Sequence, residues 1–242
     1  MEETARLFTP LKTKRVFEEI ADQIRELIYS GHFKPGDKLP SERELANQFK
    51  AGRMVVREAL RTLEHAGLIY IKQGSFGGAF IKESDAAVIT RSISDMIRIG
   101  NVTLKELTET RIGIEMVILE SVFRRINQED LEALGRNVEE AEKEIANGNR
   151  PLETNLNFHV LLARASKNTL FEMIIKSIMA VTTSFLVTIN PGADHLRQVL
   201  RYHKEIYQAL AKGDFEGAER IMKEHLLEAN KRVSDLAKEQ TL

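Results

Sequence analysis

The chain has 242 residues, enough for one large domain or two ordinary ones, and its 43% hydrophobic and 29% charged residues suit a globular protein with a real core. Cysteine is absent, which excludes disulfides and thiolate metal sites and fits a reducing cytoplasm. The net charge of -1 excludes a globally basic nucleic-acid binder, so any basic surface must be local. No uncharged apolar run approaches the roughly 18 residues of a membrane span. The opening MEETARLFTPLK lacks the basic-then-apolar order of a secretory signal.

From about Thr13 to Tyr29, Val16, Phe17, Ile20, Ile24, Leu27 and Ile28 recur at helical spacing, and Gly31 ends that helix. HFKPGDKLP is turn chemistry with little room for regular structure. Ser41 followed by Glu44 is a capping box, which opens a second short helix at SERELANQF. After a break at KAG, a third helix runs from about Arg53 to His65 and stops at Gly67. LIYIK and AFIK around QGSFGG read as a β-hairpin. Beyond Glu83 nearly everything reads helical. Breaks fall near Gly100-Asn101, Asn127, Asn147-Gly148-Asn149, Lys167-Asn168, Asn190-Pro191-Gly192 and Gly213-Asp214. Thr103 and Glu106 form another capping box, and Asn127 and Asp214 are good N-caps. The expected fold is mainly α: a small N-terminal α/β unit over 1–82 and an antiparallel, all-helical bundle of about seven helices over 83–242.

The third helix raises a question of charge. On a wheel of about 100° per residue, Val55, Val56, Ala59, Leu60, Leu63 and Ala66 share one arc. Arg53, Arg57 and Arg61 lie opposite, within about 80° of one another. Arg61 has Glu58 and Glu64 three residues to either side and can pair within the helix. Arg53 and Arg57 have no acid at such spacing. Two unpaired guanidinium groups on the outer face of the second helix of a helix–turn–helix suit DNA, because the planar fork matches the two acceptors of guanine in the major groove. The hairpin would then be a wing, with a tip, Gln73-Gly74-Ser75, able to approach a minor groove. Arg43, near the start of the preceding helix, could reach the same groove edge.

Three of the six histidines sit on apolar helical faces. His203 aligns with Val199, Ile206 and Leu210, and His225 with Ala218, Ile221, Met222 and Ala229. His159 follows Asn155 by one turn. Each alone reads as a core histidine satisfied by a neighbour. If the three converge, neutral imidazoles in an apolar cavity make an open three-His site for a divalent transition metal.

The stretches RVFEEIADQIRELIYSGHFKPGDKLPSERELANQF, VVREALRTLEHAGLI and GGAF resemble the winged-helix DNA-binding domain of GntR-type transcription regulators, from about Leu11 to Ile81. By motif position the resemblance implies DNA-reading roles for Arg43, Arg53, Arg57, Gln73 and Gly74, and a homodimer on a palindromic double-stranded operator. The chain departs from the pattern at Gly52 and Met54, where Ser or Thr and a small polar residue are usual. LTETRIGIEMVILE, NLNFHVLLARASKN and RYHKEIYQALAKGDFEGAERIMKEH are similar to the FCD ligand-binding domain of the FadR-like subfamily, over about Ser84 to Leu236. There the resemblance implies a divalent metal, zinc or nickel, held by an Asp and three His, and a small carboxylate effector. The His positions are His159, His203 and His225. The Asp position is Asn155, whose neutral amide oxygen is a weaker ligand. Arg111 matches an effector-contacting arginine and could clamp a carboxylate, or else pair with Glu115.

Together these imply a cytoplasmic, ligand-responsive DNA-binding regulator, a repressor by family habit, with no membrane partner and no enzymatic role. Two alternatives stay open on the residues alone: a metal-dependent enzyme using the three-His site, and a DNA-binding dimer whose helical domain binds nothing.

Overall fold

Apolar residues at helical spacing dominate this chain, and a computed structural model describes residues 15–74, 76–83, 86–189 and 192–239 of it. The expected helix start at Thr13, the onsets of resemblance at Leu11 and Ser84, the tip residue Ser75 and the break at Asn190-Pro191 lie outside the described residues. The chain divides into two compact units, Met1–Asp85 and Ala86–Leu242.

In the first unit, α1 (Val16–Tyr29) buries Ile20, Ala21 and Ile24. Helix α2 (Glu42–Phe49) starts at the expected capping box: Ser41 Oγ accepts the Glu44 backbone N–H, and Glu44 Oε2 accepts that of Ser41. The turn to α3 (Arg53–His65) puts Lys50 in the left-handed region at φ 49°, which a side chain rarely adopts. Helix α3 buries Val56, Ala59, Leu60 and Leu63. Ala66, which the wheel turned inward, is the C-cap and is exposed.

The hairpin pairs β1 (Ile69–Lys72) with β2 (Gly78–Ile81), antiparallel, with Ile69 opposite Ile81 and Lys72 opposite Gly78. Its connection needs glycine at position 77, where a Cβ would lie 2.2 Å from the Lys72 carbonyl oxygen. The segment read as pure turn chemistry is partly extended. Leu39 N–H donates to Ala79 O at 2.9 Å, Ile81 N–H donates to Asp37 O at 2.8 Å, and Lys38 bridges Phe80. Pro35, Gly36 and Pro40 concealed this pairing, because the strand signal cannot outlast three residues between them.

The second unit is helical: α4 (Ala87–Arg98), α5 (Leu104–Arg125), α6 (Gln128–Ala146), α7 (Leu152–Ala165), α8 (Thr169–Ile189), α9 (Ala193–Lys212) and α10 (Phe215–Glu239). Seven helices therefore follow the hairpin among the described residues. Thr103, Asn127 and Asp214 each accept a backbone N–H of the helix they open. Helix α7 is the axis of the unit. It packs against α5, α6, α8 and α9, and buries Asn155, Leu156, Phe158, His159, Val160, Leu162, Ala163 and Ala165. Helix α8, over Thr169–Thr188, is long and apolar enough to cross a membrane by length and composition, although Glu172 and Lys176 keep it from being an uncharged run. It lies against α7 and α4.

Candidate functional site

In the first unit the arginine stripe departs from its expected pairing. Arg57 is not unpaired: Nε donates to Glu42 Oε1 at 2.9 Å and Nη2 to Glu42 Oε2 at 2.6 Å. That bidentate contact holds the Glu42 carboxyl below its usual range and raises Arg57, with Arg53 and Arg61 adding to the field on Glu42. Arg61 makes no ion pair among the described residues. Glu64, one of its two expected partners with Glu58, instead accepts the Ile71 backbone N–H at 3.1 Å and ties α3 to β1. Spacing along α3 cannot reveal the Arg57 partner, because Glu42 sits on the neighbouring helix α2. Arg43 and Arg53 are exposed and make no ion pair among the described residues.

Gln73 and Gly74 are exposed at the hairpin tip, with Gly74 at φ 103°. Gly52 is the N-cap of α3 and offers no side chain to cap it. Among the apolar side chains that stand in solvent on this unit, Phe76 at 86% and Met54 at 70% are the most exposed. Sequence reasoning passed over Phe76, since an aromatic between turn residues carries no periodic signal.

In the second unit His159 on α7, His203 on α9 and His225 on α10 are buried and converge. The Nε2 atom of His225 lies 3.3 Å from that of His203 and 3.3 Å from that of His159. Phe158 stacks on His203 with centroids 4.2 Å apart. Two ligands of a tetrahedral ion, at the ~2.0–2.1 Å usual for zinc–nitrogen bonds, stand roughly 3.3–3.4 Å apart. Both His225 spacings match that separation, and the three ligand nitrogens all lie within 4.8 Å of one another. Burial pushes His203 and His225 well below the usual histidine range, so both are neutral and their nitrogens can act as ligands.

A buried ion pair supports this cluster. Arg111 Nε donates to Glu115 Oε1 at 2.6 Å, and Arg111 Nη2 lies 2.8 Å from His159 Nε2. His159 Nδ1 lies 2.5 Å from Glu115 Oε2. A carboxylate on Nδ1 and a guanidinium on Nε2 assign the ring: Nδ1–H donates to Glu115, and the Nε2 lone pair accepts from Arg111. Burial raises the Glu115 carboxyl, but His159 and Arg111 outweigh it and hold it at about 2. Burial lowers His159 further than Glu115 raises it. Arg111 thus makes the Glu115 ion pair, one of its two expected roles, and also meets His159.

Asn155, one turn before His159, is buried, and neither side-chain atom has a hydrogen-bond partner among the described residues. His225 Nδ1 is likewise unpartnered. Orphaned polar groups of this kind call for a ligand or an ion. Arg111, Asn155, His159 and His225 line a cavity of about 50 Å³. His195 lines it too. It sits in the first turn of α9, where no periodic signal singles it out.

Residues 17–81 match the family model for bacterial regulatory proteins of the gntR family, and residues 106–228 match that for the FCD domain. The HTH-type transcriptional regulator YcbG of Bacillus subtilis is 32% identical, with 88% of each chain covered. The HTH-type transcriptional repressor NanR of Escherichia coli is 26% identical, covering 90% of this chain and 84% of the relative. Among solved structures, Streptococcus agalactiae GntR superposes with a TM-score of 0.65 at 28% identity, covering 89% of this chain and 99% of that one. The chain is a GntR-family transcription regulator with an FCD domain. Its gntR match spans α1 to β2 and so contains Arg43, Arg53, Arg57 and the hairpin tip. Its FCD match contains Arg111, Glu115, Asn155 and all three clustered histidines.

The FCD interior carries a testable electrostatic load. Replacing Glu115 with Ala leaves the Arg111 charge buried without its partner, and is expected to lower the unfolding free energy by about 3–5 kcal/mol in denaturant titrations. The Glu115 carboxyl lies at about 2 against an ordinary value of 4.5, so its contribution is complete above about pH 5 and is lost as pH falls toward 2. The stability gap between wild type and Glu115→Ala should close over that window. A gap that stays constant from pH 5 to pH 3 would show that folding does not depress the Glu115 carboxyl.

Proposed function

We propose that this regulator is a repressor whose FCD domain takes up a small carboxylate together with a divalent transition metal, zinc or nickel, and that the two control its affinity for operator DNA. The observation that carries this reading is the meeting of three imidazoles beside a buried guanidinium, with Arg111, His159 and His225 on the wall of a cavity. The repressor sense is taken from NanR, which bears that description. His159, His203 and His225 would hold the metal, with the Asn155 amide oxygen within the same wall. A bound ion would supply a Lewis acid that fixes the effector's carboxylate.

Arg111 links the two ligands. Its Nε and one Nη2 hydrogen are engaged by Glu115 and His159, and Nη1 donates to no described residue. The His159 lone pair cannot serve both Arg111 and a metal. A carboxylate that draws Arg111 toward itself therefore frees a metal ligand, and the coupling is reciprocal.

On the DNA side, Arg43, Arg53, Arg57, Gln73 and Gly74 would read or position the operator. Glu42 engages the Nε–Nη2 edge of Arg57, and Nη1 meets only the weakly accepting Met54 sulfur at 3.9 Å, so the Nη1 side can turn to the paired acceptors of a guanine. One recognition helix reads too few bases for a genome, so a homodimer on a palindromic site is expected. A protein that reads chromosomal DNA works in the cytoplasm.

Arg53→Ala and Arg57→Ala should each weaken specific operator binding about tenfold or more without lowering the melting temperature. Glu42→Ala should relax base preference more than total affinity, because Arg57 loses its fixed orientation. A titration in which Arg61→Ala costs most and Arg53→Ala is silent would reverse the assignment. Sedimentation should find a dimer both free and on the operator; a monomer in both states rules out the two-half-site reading.

Asn155→Asp tests the metal. Three neutral imidazoles and an amide leave a divalent ion uncompensated in a low-dielectric cavity, so metal should bind weakly alone and more tightly with a carboxylate present. The Asp variant should bind metal more tightly in the absence of acid and show a smaller acid effect by calorimetry. If its metal affinity equals wild type, or if no metal binds while all three histidines are intact, the site is a histidine-lined polar pocket.

A further inference from the structure

The cavity above the histidines is layered, and the layers follow from helix geometry at about 5.4 Å per turn. Its polar floor is Arg111, His159 and His225, with His203 behind. One turn from that floor lie Leu107 on α5, Leu156 on α7, Val199 on α9 and Ala229 on α10. A further turn out lie Leu152 on α7 and Leu196 on α9, with Phe185 and Leu186 on α8. Apart from Asn155, the polar members of this collar are Thr108, Thr182 and His195. The Thr182 hydroxyl donates to Ile178 O in its own helix. Arg111 is the one charged side chain in the described lining.

We infer that the effector is a short carboxylic acid with an apolar tail, its carboxylate at the Arg111–histidine floor and its tail in the collar of Leu107, Val199, Leu186 and Leu196. This rests on the reading of the FCD domain as the effector site. A sugar acid would bring several hydroxyls against leucine and phenylalanine, and each unpartnered hydroxyl is penalised on burial. A dicarboxylate would carry its second charge into a collar with no cation to meet it. At about 50 Å³ the cavity has room for roughly a few water-sized groups, which limits the acid to a handful of heavy atoms.

The test is calorimetry on the full-length protein with added zinc, using acetate, 3-methylbutanoate, gluconate and malate as probes. Each buried methylene is worth about fourfold in affinity, so 3-methylbutanoate should bind at least about tenfold more tightly than acetate, and more tightly than gluconate or malate. Leu186→Asn should shrink the preference for 3-methylbutanoate over acetate toward one, and Val199→Thr serves the same purpose if the first variant does not fold. Gluconate or malate binding as tightly as 3-methylbutanoate, or an unchanged preference in these variants, would overturn the inference and leave the effector reading standing. If none of the four acids binds, the effector reading falls with it.

Discussion

Inside the helical unit, Arg111 and Glu115 stand one turn apart on α5, both almost fully buried and in direct contact. Two charges taken out of water are expensive, and their mutual attraction offsets that cost only with good geometry and further hydrogen bonds. His159 supplies those bonds to both, through opposite sides of its ring. The same contacts set its tautomer and its orientation. From there the cluster follows: His225 stacks on His159, and Phe158 stacks on His203, so the three Nε2 atoms face one another. Remove the ion pair and the ring that anchors the cluster loses both of its constraints.

The first unit uses the same chemical pair in a different dielectric. Glu42 and Arg57 are both partly exposed, where an ion pair adds little to stability and is screened by salt. What it adds there is order. A long arginine side chain held at one edge of its fork has fewer orientations open to it. The buried pair matters for what it holds together, whereas the exposed pair matters for the direction in which it points a guanidinium.

Much of this was legible in the sequence because the relevant signals are local. Ser41 with Glu44, Thr103 with Glu106, and the N-caps Asn127 and Asp214 act within one turn, and the boundaries they implied match the helices to within a residue or two. The inward faces of His159, His203 and His225 could also be read, since helical periodicity decides which face a residue takes. Partners across helices could not be read. Glu42 lies 15 positions from Arg57, and His159 lies 44 positions from Glu115, so no spacing rule joins them. The extended segment at Asp37–Leu39 was hidden by its prolines, and His195 by its place at a helix start just after Asn190-Pro191-Gly192. In each case a tertiary contact decided the outcome.

The charge balance of the cluster constrains anything that enters it. Arg111 and Glu115 cancel, and the three imidazoles and Asn155 are neutral, so the floor carries no net charge. A divalent ion alone would keep its full charge in a medium that solvates it poorly. An anion alone could be met by Arg111 only at the expense of a guanidinium already shared with Glu115 and His159. Entering together, ion and anion neutralise each other, and the guanidinium exchanges one acceptor for another. With aspartate at position 155, the protein would supply part of that anion, and the ion could settle first and wait. Asparagine removes that option. On the proposed reading, the neutral amide would make the two ligands depend on each other, so that the site responds to an acid instead of storing metal.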